Sequence, residues 1–176
     1  MKLIIQNNKV AYTATNEYVQ NGSEQDIVTV PDGTDITNYV YLGNNVATAQ
    51  ANLTASLENY RMAAQNAGHS YTFPDGVGVI QTRDQTLYQD ISNINGQVTA
   101  ALILQSQNVT TPVLDFRDES NVTHSMTPAQ VIAMGMAVST FISELYLYKW
   151  NLATEIAAYT TMEQIEAFNP SSGWPT

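Results

Sequence analysis

The chain contains no cysteine, which excludes a disulfide framework, a thiolate nucleophile and any metal site built on thiolates. Histidine is nearly as scarce: His69 and His124 are the whole supply among 176 residues. Each stands beside an expected strand with no second ligand at helical spacing. They read as surface or turn histidines rather than as half of a transition-metal centre. Basic residues are few as well. Six Lys and Arg face sixteen Asp and Glu, for a net charge of −10 and a pI near 4.3. Phosphate backbones and anionic lipid surfaces both select for Lys and Arg, so neither nucleic acid nor a membrane is an expected partner. No uninterrupted apolar run approaches the roughly 20 residues of a membrane span. The start MKLIIQNNKV lacks the apolar length and small-residue cleavage site of a signal peptide. Gly-x-Ser-x-Gly, Gly-x-Gly-x-x-Gly, the phosphate-binding loop and His-Glu-x-x-His do not occur, and with them go the short signatures of many hydrolases, dinucleotide enzymes, NTPases and zinc proteases. No cofactor and no metal is implied.

What is present is a foldable chain with an unusual surface. Hydrophobic residues make up 44%, enough for a core, while charged residues are only 12%, about half the usual share. Asn, Gln and Thr take their place. A surface solvated by amides and hydroxyls suits a protein that lies against other proteins.

Residues 1–45 read as a β-rich attachment segment. Lys2–Gln6 and Lys9–Thr15 are expected strands around Asn7-Asn8, a pair that tolerates a tight hairpin turn. Asn21-Gly22-Ser23 is a loop, Asp26–Val30 a strand, Pro31-Asp32-Gly33 its stop, and Tyr39–Leu42 a last strand. Gly43-Asn44-Asn45 is the hinge to residues 46–176, where the period turns helical. Val46, Gln50, Leu53, Leu57, Tyr60 and Ala64 form a stripe that Gly68 ends as a C′ residue. A hairpin follows over Ser70–Gln81. A second helix over Gln85–Gln105 is capped by Thr82 or Asp84, with Leu87, Ile91, Ile94, Val98, Ala101 and Leu102 as its buried face. A second hairpin pairs Val113–Phe116 with Val122–Met126 around the polar turn Arg117–Asn121. The expected class is α+β: a small N-terminal β segment, then three helices interleaved with β-hairpins, the last helix longest.

That last helix organises the rest. Thr127 is a good N-cap, Pro128 fits the first helical position, and Gln130 completes a Thr-x-x-Gln capping box. Val131, Val138, Leu145, Leu152 and Tyr159 fall seven apart, with Met134, Phe141 and Tyr148 between them. The stripe fits a coiled-coil oligomer and an intramolecular bundle equally. Tyr146, Tyr148 and Trp150 stand on successive faces, so one burial surface cannot hide them all. With Phe141 and the near-terminal Trp174 they are the candidate partner-binding residues. The chain then ends in an extended tail after one further helical turn around Met162, Ile165 and Phe168.

The densest charged cluster is Asp115, Arg117, Asp118 and Glu119. It reads either as a cation or paired-carboxylate site or, more plainly, as the solvated tip of a hairpin. The other carboxylates are scattered over turns and helix ends, which does not build the two-carboxylate cleft of a glycan hydrolase. An enzyme is therefore not expected.

Several stretches in a fixed order resemble an uncharacterised domain at the C-terminal end of tailed-bacteriophage tail-fibre and tail-fibre-assembly proteins. They are RMAAQNAGHSYTF (Arg61–Phe73), Ile80-Gln81-Thr82-Arg83-Asp84 with the helix after it, and Leu114-Asp115-Phe116-Arg117-Asp118. Val122–Thr127, the helix through Ala129–Trp150 and the closing Gly173-Trp174-Pro175 complete the series. The resemblance covers about residues 55–176. It departs at Phe116, where the family often has Trp, so a large apolar anchor is kept. It implies a virion structural protein of the tail fibre or baseplate, or a tail-fibre assembly chaperone, with other tail proteins as partners. It also implies an oligomer, a trimer among the options, made in the host cytoplasm and located in the virion tail, with no catalytic residues to carry over.

Overall fold

The computed structural model describes residues 2–6, 9–14, 26–29, 45–85 and 87–176. The elements in chain order are β1 (Lys2–Gln6), β2 (Lys9–Ala14), β3 (Asp26–Thr29), α1 (Val46–Ala67), β4 (His69–Phe73) and β5 (Gly76–Ile80). Then come β6 (Asp84–Gln85), β7 (Tyr88–Gln89), α2 (Asp90–Ser106), β8 (Leu114–Arg117), β9 (Thr123–Met126), α3 (Pro128–Ala158) and α4 (Met162–Ala167). The α+β class and the longest final long helix, α3, agree with the sequence reading. The expected turn at Asn7-Asn8, the loop at Asn21-Gly22-Ser23, the stop at Pro31-Asp32-Gly33, the strand Tyr39–Leu42 and the Gly43-Asn44 part of the hinge lie outside the described residues. The chain divides into two compact units, residues 1–58 with 151–170 and residues 59–150 with 171–176.

In the first unit β1 is the central strand of an antiparallel sheet in the order β2-β1-β3. Asn45 caps α1 by accepting the Thr48 N–H at 3.0 Å, satisfying one of the orphan donors of a helix start. Ala49, Leu53 and Leu57 of α1, Leu152 and Ile156 of α3, and Ile165 of α4 are all buried. The C-terminal end of α3 is closed by a side chain from far away in sequence. The Gln50 amide donates to the carbonyls of Ile156 at 3.0 Å, Ala157 at 3.2 Å and Tyr159 at 2.9 Å. The last carbonyls of a helix lack i+4 donors; here the Ile156 carbonyl also accepts the Tyr159 N–H at 3.2 Å, and Gln50 serves the end as a whole. Thr161 and Gln164 then form a reciprocal capping box that starts α4. The phenol of Tyr159 donates to Glu155 at 2.7 Å. Burial first, then that bond, pushes its pKa up to about 12.

The second unit is built on hairpins wedged between helices. Gly68 ends α1 with φ of +85°, the left-handed conformation that glycine adopts without a Cβ clash. The β4–β5 hairpin pairs His69 with Ile80 and Phe73 with Gly76, and β8–β9 pairs Phe116 with His124. Phe73, Ile80, Ile94, Ala101, Phe116, Met126, Val131, Met134 and Val138 form one buried cluster. A Cβ on Gly135 of α3 would run into the side chain of Val98 on α2, so this glycine is what lets α2 come so close to α3.

The start of α2 corrects the sequence reading. Thr82 is not a cap. Its hydroxyl donates to the Gln65 carbonyl at 2.5 Å, and its carbonyl accepts from the Gln65 amide at 2.9 Å. Arg83 turns back to Asp90, with Nε donating to Oδ2 at 2.8 Å, and its guanidinium lies 4.0 Å over the Tyr88 ring. Asp84–Gln85 and Tyr88–Gln89 pair as the two-residue ladder of β6 and β7, and the helix begins only at Asp90, whose charge suits a helix N-terminus. Leu87 and Leu102, expected on the buried face, are exposed. Ile94 and Ala101 are the buried residues of α2.

Candidate functional site

The N-terminus of α3 is fixed by the expected capping box. Thr127 N–H donates to Gln130 Oε1 at 2.8 Å, and Gln130 N–H donates to Thr127 Oγ1 at 3.3 Å. From there Val131, Met134, Val138, Phe141 and Leu145 are buried within the chain, none more than 4% exposed. The heptad stripe that fits both a bundle and an oligomer is thus occupied by the protein's own packing.

The five candidate contact residues separate into three groups. Phe141 is a core residue, 1% exposed, with its ring stacked on His69 at 4.8 Å between centroids. Its expected role in binding a partner is corrected by that burial. Tyr148 and Trp174 face each other edge to face at 5.0 Å. The Tyr148 hydroxyl donates to the Ser172 carbonyl at 2.9 Å, and Gly173, at φ of +79°, passes where any Cβ would meet that hydroxyl. The tail therefore docks on α3 of its own chain, and its far end brings the Thr176 carbonyl within 3.2 Å of His69 Nδ1. Trp174 is half-buried there.

Tyr146 and Trp150 are the pair left at the surface, 36% and 59% exposed, with Leu147 between them at 55%. Their rings lie 6.0 Å apart. Tyr146 is held from beneath by Arg61, whose guanidinium carbon sits 4.5 Å from the ring centroid, and flanked by Lys149 Nζ at 5.3 Å. Cation–π contacts of this kind contribute about 0.5–2 kcal/mol each, depending on desolvation. Arg61 is itself buried and donates to the Gln65 side chain. A small cleft of about 120 Å³ beside Tyr146 is lined by Arg61, Gln65, Asp84, Ile91 and Ile142 among others. The face combines rigid aromatic rings, aliphatic area and two cations seated on one ring, a composition typical of protein contact surfaces.

His124 is the functional-type residue the sequence reading misplaced. It is not a surface histidine: it is 3% exposed and lies flat on Phe73 at 3.8 Å. Its Nδ1 is 2.6 Å from Asp75 Oδ1 at the tip of the first hairpin. Its Nε2 is 3.5 Å from Asp118 Oδ2, close enough for electrostatic attraction but too long for a formed hydrogen bond, so that nitrogen has no hydrogen-bond partner. The hydrogen bond from His124 holds the Asp75 carboxyl below its usual range. Asp118, expected at a solvated tip, is buried. Its Oδ1 accepts the Val122 N–H at 2.8 Å and closes the β8–β9 loop. This arrangement ties two hairpins together. Among the described residues no group of three or more His, Cys, Asp or Glu is arranged to hold a metal ion.

By length and composition α3 is also long and apolar enough to cross a membrane. A count of uninterrupted apolar runs misses this, because Gln130, Ser139, Thr140 and Ser143 break the run without making the helix polar. The core helix of a compact protein has the same composition.

No curated protein and no solved structure matches the chain. A family model does match, over residues 48–170, the stretch from the first turn of α1 through α4. The chain belongs to the family described as "Domain of unknown function (DUF4376)".

Proposed function

We propose that this chain is a structural protein of the bacteriophage virion, in the tail-fibre or baseplate region, acting through protein–protein contact. The exposed run Tyr146, Leu147 and Trp150 on α3 carries the contact part of this reading, since a rigid aromatic and aliphatic face on a long helix is suited to docking. The resemblance of residues 55–176 to the C-terminal domain of tail-fibre proteins carries the tail part. In this reading the chain works without catalysis. The titratable groups that do converge, Asp75, His124 and Asp118, are turned into hairpin packing.

Quantitative mass spectrometry on gradient-purified particles tests the proposal. The expected result is several copies per particle in fixed ratio to the fibre or baseplate, reduced by Trp150→Ala with the folded protein still present in the infected cell. Wild-type incorporation of Trp150→Ala overturns the contact face. Absence of the chain from particles, with abundance in the cell, replaces the virion role by that of a tail-fibre assembly chaperone.

A further inference from the structure

The exposed side of α3 carries a second heptad. Ala129, Ala133, Met136, Thr140, Ser143, Leu147 and Trp150 follow one another at alternating steps of four and three, the spacing of a coiled-coil seam. All seven are exposed, with Met136 at 65%, Leu147 at 55% and Trp150 at 59%. Five of them stand two residues after a buried one: Val131 precedes Ala133, Met134 Met136, Val138 Thr140, Phe141 Ser143 and Leu145 Leu147. Two residues turn a helix by about 200°, so the two heptads lie on opposite sides. One is filled by the protein's own core and the other is presented outward.

We infer that this outer seam binds a second copy of the chain, α3 against α3, antiparallel about a two-fold axis. The inference rests on the contact reading of α3 given above but not on the tail assignment. Three features of the seam select this occupant. The first is charge. Two chains of −10 each repel, so a face that brings no like charges together is where they can meet at least cost, and residues 128–143 contain no charged side chain. The first one, Glu144, flanks the seam and faces Ala137 of the other copy in the alignment below. The second is size. A two-fold antiparallel pairing places Trp150 against Ala133, Leu147 against Met136 and Ser143 against Thr140, and each pair occurs twice by symmetry. Large then meets small at the ends, and hydroxyl meets hydroxyl at the centre. A parallel in-register pairing instead stacks the two Trp150 rings in one layer and two Ala133 methyls in another, crowding the first and leaving a void in the second. The third is the opposite face. A lipid surface could cover the seam alone, but a bilayer span needs the whole circumference of α3, and Val131, Val138 and Leu145 are already committed to the core. The seam from Ala133 to Trp150 is about 27 Å long at 1.5 Å per residue.

The test uses the full chain, which has no native thiol. Sedimentation equilibrium is expected to show a concentration-dependent dimer, and Leu147→Lys to weaken it at least about a hundredfold by placing a charge in the seam. Because Leu147 is exposed, circular dichroism of this variant should be unchanged, and Ser143→Glu is a second variant with the same expected effect. Met136→Cys mixed with Leu147→Cys is expected to give a dimer with a short bis-maleimide, while Leu147→Cys alone is not. A monomer at all concentrations, or a dimer unaffected by both charged variants, overturns the inference. Cross-linking of Leu147→Cys to itself, or a trimer, overturns the antiparallel pairing. Monomers that bind neutral phosphatidylcholine vesicles through Trp150 overturn the choice of occupant. A dimer that never enters particles sinks the tail assignment and leaves the seam standing; a monomer that does enter them does the reverse.

Discussion

Replacing Gln50 by Ala is the sharpest probe of how α3 is terminated. The Gln50 amide donates to the carbonyls of Ile156, Ala157 and Tyr159, sharing two N–H bonds among three acceptors. A net hydrogen bond contributes about 0.5–1.5 kcal/mol, and an acceptor left unsatisfied in a buried place costs more. The Ala157 carbonyl contact is exposed while the other two are part-buried, so water replaces some of what is lost. The loss expected for Gln50→Ala is therefore about 1–2 kcal/mol. At this chain length that is a fall in Tm of roughly 2–8 °C, read by calorimetry. Gln50→Glu separates hydrogen bonding from packing. It keeps the shape, cannot donate when ionised, and sets a negative charge against the negative end of the helix dipole. It should be less stable than Gln50→Ala, and its deficit should shrink as the carboxyl is protonated near pH 4. A Gln50→Ala protein that melts within 1 °C of wild type, or a Gln50→Glu protein more stable than Gln50→Ala, would refute the capping argument.

Two further outcomes follow from the packing. Gly135→Ala places a methyl group into Val98 and is expected to cost about 1–3 kcal/mol in urea unfolding; the double change with Val98→Ala should recover part of it. Asp75 has a lowered carboxyl pKa through its bond to His124. A depressed folded value means that its contribution is complete above the ordinary aspartate value of 3.8 and is lost as pH falls through the folded value. The gap in Tm between wild type and Asp75→Asn should therefore be widest above that pH and close below it; a gap constant down to pH 2 contradicts the assignment.

Local signals in the sequence were reliable wherever the structure is local. The Thr127–Gln130 capping box, the Gly68 terminus and the two main hairpins each depend on neighbours within a few residues, and all were legible. Thr82 was misread because its hydroxyl has two competing uses. Capping is visible in the sequence, whereas the bond to the Gln65 carbonyl depends on a helix end seventeen residues earlier. The same limit hid Gln50 and His124, whose partners lie 106 and 49 residues away. Arg61 and Gln65 are buried within a stripe expected from Tyr60 and Ala64, because an arginine over a tyrosine ring and an amide paired to Thr82 satisfy polar groups that patterning alone assigns to solvent. The candidate contact residues could be picked out as surplus aromatics on α3 and in the tail, but not sorted. Which ring is core, which holds the tail and which reaches the surface depends on His69, Ser172 and Arg61, and none of these announces its position in the sequence.

The bridge from Gln50 to the end of α3 also sets an order of events in time. Closing a loop of 106 residues carries a length-dependent entropy cost of about 4 kcal/mol, and contacts of such separation form late in folding. During synthesis α1 leaves the ribosome with Leu53 and Leu57 uncovered, and Gln50 finds its acceptors only after residue 159 has followed. Until residues 151–170 follow, the first unit is therefore an open half, completed only by a segment made about a hundred positions after α1 begins.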